Sequence, residues 1–531
     1  MRIRERDAVL YLALTLAAGI LLGTYMPLRK AGVTPSVAPS LSHWDKADYV
    51  RELIQTYYYE DLDGDSLTDE MITALLQALD PHSSYIPAKE AQRYNAVLMG
   101  GFEGIGITFN ILDDTITVIS VTPSGPSQKA GVLAGDKIIR VDGENVAGVH
   151  IQNADVIGKL RGKRGTKVRI EALRPAHGQL LAFDLVRDKI ALKSVEVAYM
   201  LEPSIGYIQI NSFSATTGDE FSRALHELLA QGMRQLVLDL RGNSGGSLQS
   251  AIAVCDEFLG RREVIVGTRG KAVGSMVYRA TSYGSFERED QSLVVLIDEW
   301  SASASEIVAG AVQDQDRGVV IGRRSFGKGL VQRSFNLPDS SELLLTVARY
   351  YTPTGRCIQK PFERYEEDIA SRYLHGEMNS ADSIPIADSL KFRTPKGRIV
   401  YGGGGIIPDI FVPIDTSEDY VYFNQLSHAG VIFRYALAYT DAHRAEWADC
   451  PDVRAFDRRF AVSDAMVAEI MRQGEAQSVS TQKATPGSRK EIKKWCKAYI
   501  ARNLFGEEGF AYLSNQDDKM VRKAVQVLRR K

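Results

Sequence analysis

Two segments of this 531-residue chain carry residue types that could together perform nucleophilic catalysis. Ser303 lies in Asp298-Glu-Trp-Ser-Ala-Ser-Ala-Ser-Glu306, and Lys328 lies in Arg323-Arg-Ser-Phe-Gly-Lys-Gly-Leu-Val-Gln332. The apolar run from Leu293 to Ile297 reads as a buried strand that feeds into Ser301-Ala302-Ser303-Ala304-Ser305, and Glu306 to Asp314 reads as a helix. A serine at such a strand-to-helix turn is exposed, and the amides after it point toward whatever it attacks. It needs a base, and histidine is the usual one. His43, His82, His150, His177, His226, His375, His428 and His443 are scattered, and none sits in a motif like those around Ser303 and Lys328. Lys328, between two glycines that leave room for close approach, is the remaining candidate. It can serve only if burial depresses its pKa toward neutrality. A fall of about three units corresponds to roughly 4 kcal/mol of destabilised ammonium, which the fold must supply.

Structural explanations compete at both positions. Ser303 with Glu306 three residues on is a capping box, and Lys328 could be an exposed turn lysine. A third segment shifts the balance. Gln235-Leu-Val-Leu-Asp-Leu-Arg-Gly-Asn-Ser-Gly-Gly246 is an apolar strand ending in a glycine-rich turn, whose free N–H groups suit an oxyanion hole. A phosphate cradle would need a following Gly-Lys-Ser/Thr, which is absent, and the spacing is wrong for a nucleotide fingerprint.

Together the three segments resemble the carboxy-terminal processing proteases, Ser/Lys endopeptidases that carry a PDZ domain. The resemblance covers roughly residues 40 to 415. It implies that Ser303 is the nucleophile, that Lys328 of Phe326-Gly-Lys-Gly329 is the general base, and that Gln332 orients the lysine. Asp239-Leu-Arg-Gly-Asn-Ser-Gly-Gly246 matches the family's turn, so the amide of Ala304 and one of that turn, Gly245 or alternatively Gly246, would form the oxyanion hole. The fold class it implies is multidomain α/β: a mixed α/β, crotonase-like protease core with an inserted PDZ β-domain and helical N- and C-terminal parts.

The composition, 44% hydrophobic and 24% charged, suits a large enzyme of three or four domains, and a net charge of −2 gives no hint of nucleic-acid binding. The four cysteines, Cys255, Cys357, Cys450 and Cys496, show no metal spacing. No metal or cofactor is implied. Arg2, Arg4 and Arg6 precede a largely apolar stretch from Ala8 to Leu28, near the length of a membrane span. Residues 1–30 are therefore expected to be a signal anchor in the cytoplasmic membrane with the catalytic part outside, in the periplasm if the source is Gram-negative. A cleaved signal peptide is the alternative. Residues 31–99 comprise a Pro/Ser-rich linker, from Ala31 to Ser42, and a helical region ending at Leu79-Asp-Pro-His-Ser-Ser-Tyr85. Within it, Asp61-Leu-Asp-Gly-Asp65 fails as a calcium loop and reads as a solvated acidic turn.

Residues 100–187 resemble a PDZ domain through Ala130-Gly-Val-Leu-Ala-Gly-Asp-Lys-Ile138. Its carboxylate-binding loop would be Gly104, Ile105, Gly106 and Ile107, whose free amides hold a peptide C-terminus while the peptide adds a strand. Arg161 is either solvated or, as the resemblance suggests, a regulatory contact between PDZ domain and protease body. Residues 188–415 alternate strands and helices as an α/β core, interrupted by a polar, surface-exposed insertion from Glu363 to Phe392. Residues 416–531 turn helical and basic, with Trp495, Ile500, Leu504, Val521, Val525 and Leu528 as a candidate apolar face. A helical cap or dimerisation element is favoured there over a nucleic-acid or anionic-lipid patch. The expected protein is thus a membrane-tethered serine endopeptidase acting on proteins with exposed apolar C-termini, with a homodimer or an adaptor as further partners. The alternative is a catalytically silent PDZ scaffold that binds exported protein tails.

Overall fold

The computed structural model describes residues 43–175, 178–281, 284–288 and 290–530. The expected membrane span and the linker to Ser42 lie outside them. Among the described residues, no helix is long and apolar enough to cross a membrane. The chain forms two units, Met1–Leu75 and Leu76–Lys531. In the first, the helix His43–Tyr57 and the start of the helix Gly64–Gln77 close an apolar groove lined by Val50, Ile54, Leu67 and Met71. The acidic turn starts the second helix, with the Asp65 N–H donating to the Asp63 carboxylate (3.2 Å).

The second unit is built on a six-stranded sheet in the order Val197–Glu202, Ile205–Gln209, Gln235–Asp239, Ser292–Ile297, Val319–Gly322 and Ile410–Phe411. All neighbours are parallel except the first pair. The central strands are unbroken apolar runs because both faces are covered. On one face lie the helices Thr217–Ala230, Leu248–Asp256 and Ala304–Asp314, whose Phe221, Leu225, Val254, Val308 and Val312 meet Leu236, Leu238, Leu293 and Val295. The other face is covered from the far end of the chain. Met520, Val521, Ala524 and Leu528 of the helix Lys519–Leu528 pack on Val237, Val294, Leu296 and Ile321. Each fully buried side chain of this size contributes about 1.5–3 kcal/mol.

The helix Lys519–Leu528 therefore covers this face of the sheet, while the rest of the expected apolar face packs elsewhere. Trp495, Ile500 and Leu504 belong to a separate helical core with Phe423, Leu426 and Val431. The same part touches the PDZ region, where Arg444 donates to the carbonyl of Ala134 (3.1 Å).

The PDZ region has a sheet ordered Ile107–Leu112, Thr115–Val121, Lys137–Val141, Lys167–Arg174 and Gln179–Val186, with Glu144–Asn145 paired to the third strand. Ile116, Val118, Ile138 and Ile170 fill its core. An antiparallel ribbon of Gly101–Gly104 with Asp188–Ala191 carries it into and out of the body.

A second sheet joins Ser84–Ile86, Glu342–Tyr351, Val264–Gly270 and Gly274–Arg279, with Leu330–Asn336 also pairing Glu342–Tyr351. Segments on either side of the PDZ region in sequence thus meet in one sheet. The insertion from Glu363 to Phe392 is mostly exposed, yet Tyr365, Arg372, Glu377, Met378 and Ile384 within it are buried. Arg372 donates to the carbonyls of Ser325 (2.9 Å) and Phe326 (3.2 Å), so a polar composition hides a strut under the loop that leads to Lys328.

Candidate active site

The Ser-Ala-Ser-Ala-Ser turn separates its three serines by what their hydroxyls do. Ser301 and Ser305 are fully buried, and donate to the carbonyls of Leu240 (2.8 Å) and Asn243 (2.9 Å). They fasten the turn to the glycine-rich segment after Gln235–Asp239. Asp298 adds to this by accepting the N–H of Gly242 (3.0 Å). Ser303 is left partly exposed at the N-terminus of the helix Ala304–Asp314, with φ 54° and ψ −111°. A non-glycine residue held there stores about 1–3 kcal/mol, which the struts on either side sustain.

Gly245 lies directly against this turn. A Cβ on it would come within 2.7 Å of both the Ala302 carbonyl oxygen and Ser303 Cβ, and within 2.9 Å of Ala304 N. Gly246 faces elsewhere, its Cβ position 2.1 Å from the Phe213 oxygen. Of the two glycines the sequence left open, Gly245 is therefore the one at Ser303 and Ala304. Its own N–H is donated to Asn243 Oδ1 (2.8 Å).

Glu306 ties the Ser303 turn to the Lys328 loop. It is fully buried, and its Oε2 accepts the backbone N–H of both Ser303 (2.8 Å) and Lys328 (2.9 Å). Its Oε1 takes the N–H of Gly327 (2.7 Å) and the hydroxyl of Ser325 (2.5 Å). Burial pushes this carboxyl up from its ordinary range, and the four donors oppose that shift. The capping-box pattern signalled this residue, but the capping and catalytic readings are not alternatives, because the same carboxylate also holds the lysine loop. The glycines flanking Lys328 make room for the protein's own backbone. A Cβ on Gly327 would meet Gly405 N at 3.1 Å, and one on Gly329 would meet Gln359 N at 2.8 Å.

Lys328 Nζ donates to Gln332 Oε1 (2.8 Å), and Gln332 Nε2 donates to the carbonyl of His82 (2.5 Å). The strand Leu330–Asn336 shifts register between Val331 and Gln332, an irregularity of the kind that re-aims a side chain. Burial pulls the Lys328 pKa down, while Glu306 and Asp80 act in the opposite direction. Among the described residues no hydrogen bond links Lys328 Nζ to Ser303 Oγ; such bonds are often formed only in the Michaelis complex.

No histidine sits in a motif like those around Ser303 and Lys328, yet the fold brings His82 beside the lysine. Its Nε2 pairs with the Tyr365 hydroxyl (2.5 Å). Burial first, then the Lys328 charge, lower its pKa to about 4. The Leu79–Tyr85 segment was the only signal that could have placed it.

In the PDZ region, Ile105 is buried and its carbonyl accepts the N–H (3.0 Å) and hydroxyl (2.7 Å) of Ser127, while Gly106 takes a φ of 75°. These bonds fix the Gly104–Ile107 loop. The adjoining strand Ile107–Leu112 is at the sheet edge, so it can accept another strand. Arg161 lies over the Phe102 ring at 4.3 Å, and burial followed by Arg93 pulls its pKa down. Its neighbours are thus the ribbon and the helix Ala88–Leu98. Among the described residues it forms no ion pair with a carboxylate of the body.

Residues 204–371 match peptidase family S41, residues 104–185 match the PDZ domain, and residues 422–506 match a family of unknown function. A carboxy-terminal-processing protease of Bartonella bacilliformis is 38% identical over 69% of this chain and 84% of its own length. The carboxy-terminal processing protease CtpA of Bacillus subtilis is 35% identical over 60% of this chain and 67% of its own. Among solved structures, the photosystem II D1 C-terminal processing protease is 27% identical, with 70% of this chain and 87% of that one covered and a TM-score of 0.36.

Proposed function

Because the chain belongs to the carboxy-terminal processing proteases, serine peptidases of family S41 with a PDZ domain, we propose that it cleaves proteins at or near unstructured C-termini by a Ser303–Lys328 dyad. The observation that carries this reading is the single buried oxygen of Glu306, which accepts the amides of both residues. Neutral Lys328 Nζ takes the proton of Ser303 Oγ as the oxygen bonds to the substrate carbonyl carbon. The negative charge on the carbonyl oxygen falls to the N–H of Ala304 and that of Gly245, which Asn243 Oδ1 must share or release. The tetrahedral species then expels the amine, which receives the proton from Lys328, leaving an acyl-enzyme. Water, deprotonated by the same lysine, hydrolyses the ester and restores both residues. Gln332 keeps one lysine N–H engaged, so that the lone pair is directed elsewhere.

The pH profile tests the base. kcat/KM rises with pH through a pKa below the free lysine value of about 10.4, because burial disfavours the ammonium and the neutral amine is the reactive form. That limb disappears in Lys328→Ala and persists in His82→Ala. A profile that follows His82 instead overturns the assignment.

The PDZ domain supplies the substrate class. The edge strand at Ile107–Leu112 and the fixed Gly104–Ile107 loop support capture of an apolar C-terminus by strand addition. A peptide with a free apolar C-terminus stimulates cleavage in trans, and its amidated form does not. Arg161→Ala lowers activity while peptide binding to the PDZ domain is unchanged. Equal stimulation by the amidated peptide would leave the domain a passive tether. The basic, then apolar, N-terminus supports tethering at the cytoplasmic membrane with the catalytic part exported. Extraction of the protein by alkaline carbonate from membranes contradicts that part.

A further inference from the structure

Gln332 can orient a lysine only if its own amide is oriented. A backbone carbonyl only accepts, so the His82 oxygen forces Nε2 toward itself and leaves Oε1 for Lys328. The His82 carbonyl is held by a turn closed on Asp80. Asp80 Oδ1 accepts the N–H of His82 (2.8 Å) and of Ser83 (2.9 Å), and Oδ2 accepts the Ser83 hydroxyl (2.7 Å). Thr346, on the strand Glu342–Tyr351, fastens this turn to the body. Its N–H donates to Ser83 Oγ (3.1 Å) and its hydroxyl to Asp80 Oδ1 (3.2 Å).

We propose that Asp80 is a positioning residue for the reaction, holding the His82 carbonyl that fixes Gln332 and, through it, the lysine amine. The inference rests on the Ser303–Lys328 reading above. It adds that the segment preceding the PDZ domain completes a site whose other members all follow that domain in sequence.

Asp80 acts on Lys328 in two ways that can be separated. Its bonds set geometry, and its charge, with that of Glu306, favours the lysine ammonium. The other groups on this side are His82, whose pKa lies far below neutrality, and Lys360, which faces His82 and lies over the rings of Phe326 and Tyr365. Asp80→Asn removes the charge and weakens the turn.

The experiment is a set of pH profiles of kcat and KM on the purified full chain, with an unfolded protein as substrate. Asp80→Asn lowers kcat about tenfold or more, as expected for a misplaced reacting group, leaves KM within about twofold, and moves the acid limb to lower pH. A role confined to folding lowers the active fraction without moving the limb. Wild-type kcat and an unmoved limb in folded Asp80→Asn overturn the proposal. If that variant does not fold, Ser83→Ala decides, since it removes the hydroxyl joining the turn to Thr346 and keeps the charge. A lower kcat at unchanged KM supports the proposal, and wild-type kinetics overturn it. Lys328→Ala in the same series keeps the two levels apart. A limb that survives it refutes the dyad itself, whereas a limb lost there but unmoved in folded Asp80→Asn refutes only the role of Asp80.

Discussion

Ser303→Ala and Lys328→Ala each lower kcat/KM by about four orders of magnitude, while thermal unfolding stays close to that of the native protein. In the proposed dyad, nucleophile and base act as a unit, so loss of either forfeits nearly the whole acceleration beyond what the oxyanion hole and binding supply. The neighbouring serines give the contrast that makes the result specific. Ser301→Ala and Ser305→Ala remove hydroxyls that satisfy the carbonyls of Leu240 and Asn243, so they cost stability, about 1–3 kcal/mol each. Their activity loss tracks the folded fraction, whereas that of Ser303→Ala does not. Full activity in Ser303→Ala, with Ser301 or Ser305 indispensable in the folded enzyme, would refute the assignment.

Glu306→Ala is expected to remove activity and stability together. Four donors, the N–H groups of Ser303, Gly327 and Lys328 and the hydroxyl of Ser325, converge on this carboxylate. Breaking such a buried charged network costs about 3–5 kcal/mol, a large share of the 5–15 kcal/mol typical of a domain. Glu306→Gln is nearly isosteric and still fails, because its amide nitrogen faces two donors where an oxygen accepted. Denaturant unfolding measures the first effect, and kcat/KM of the folded fraction measures the second. Native kcat/KM in Glu306→Gln would mean that the carboxylate does not hold the two loops in register.

The parts of the site legible in the sequence are those written in contiguous residues. An apolar strand ending in Ser301–Ser305, a glycine-rich turn after Asp239 and a lysine between two glycines report local geometry, because strand burial and turn conformation depend on near neighbours. Their resemblance to known segments, with Ala130–Ile138 for the PDZ domain, was what pointed to the family and its fold class. The division of labour among the three serines was not legible, since it depends on which carbonyls the adjacent strand Gln235–Asp239 brings beneath the turn. The choice between Gly245 and Gly246 depends likewise on which one lies against Ser303. Within the mostly exposed insertion, the burial of Arg372 and Tyr365 was not legible, since both look solvated by composition, yet the body gives them loop carbonyls and an imidazole to pair with.

Most of all, the partner of Gln332 lies 250 positions away, at His82, and the Asp518 that pairs with Arg241 beside the glycine-rich turn lies 277 positions away. Hydrogen bonds at such separations are set by sheet order and by how the terminal segments dock. No local propensity encodes them, so only the tertiary structure could place them.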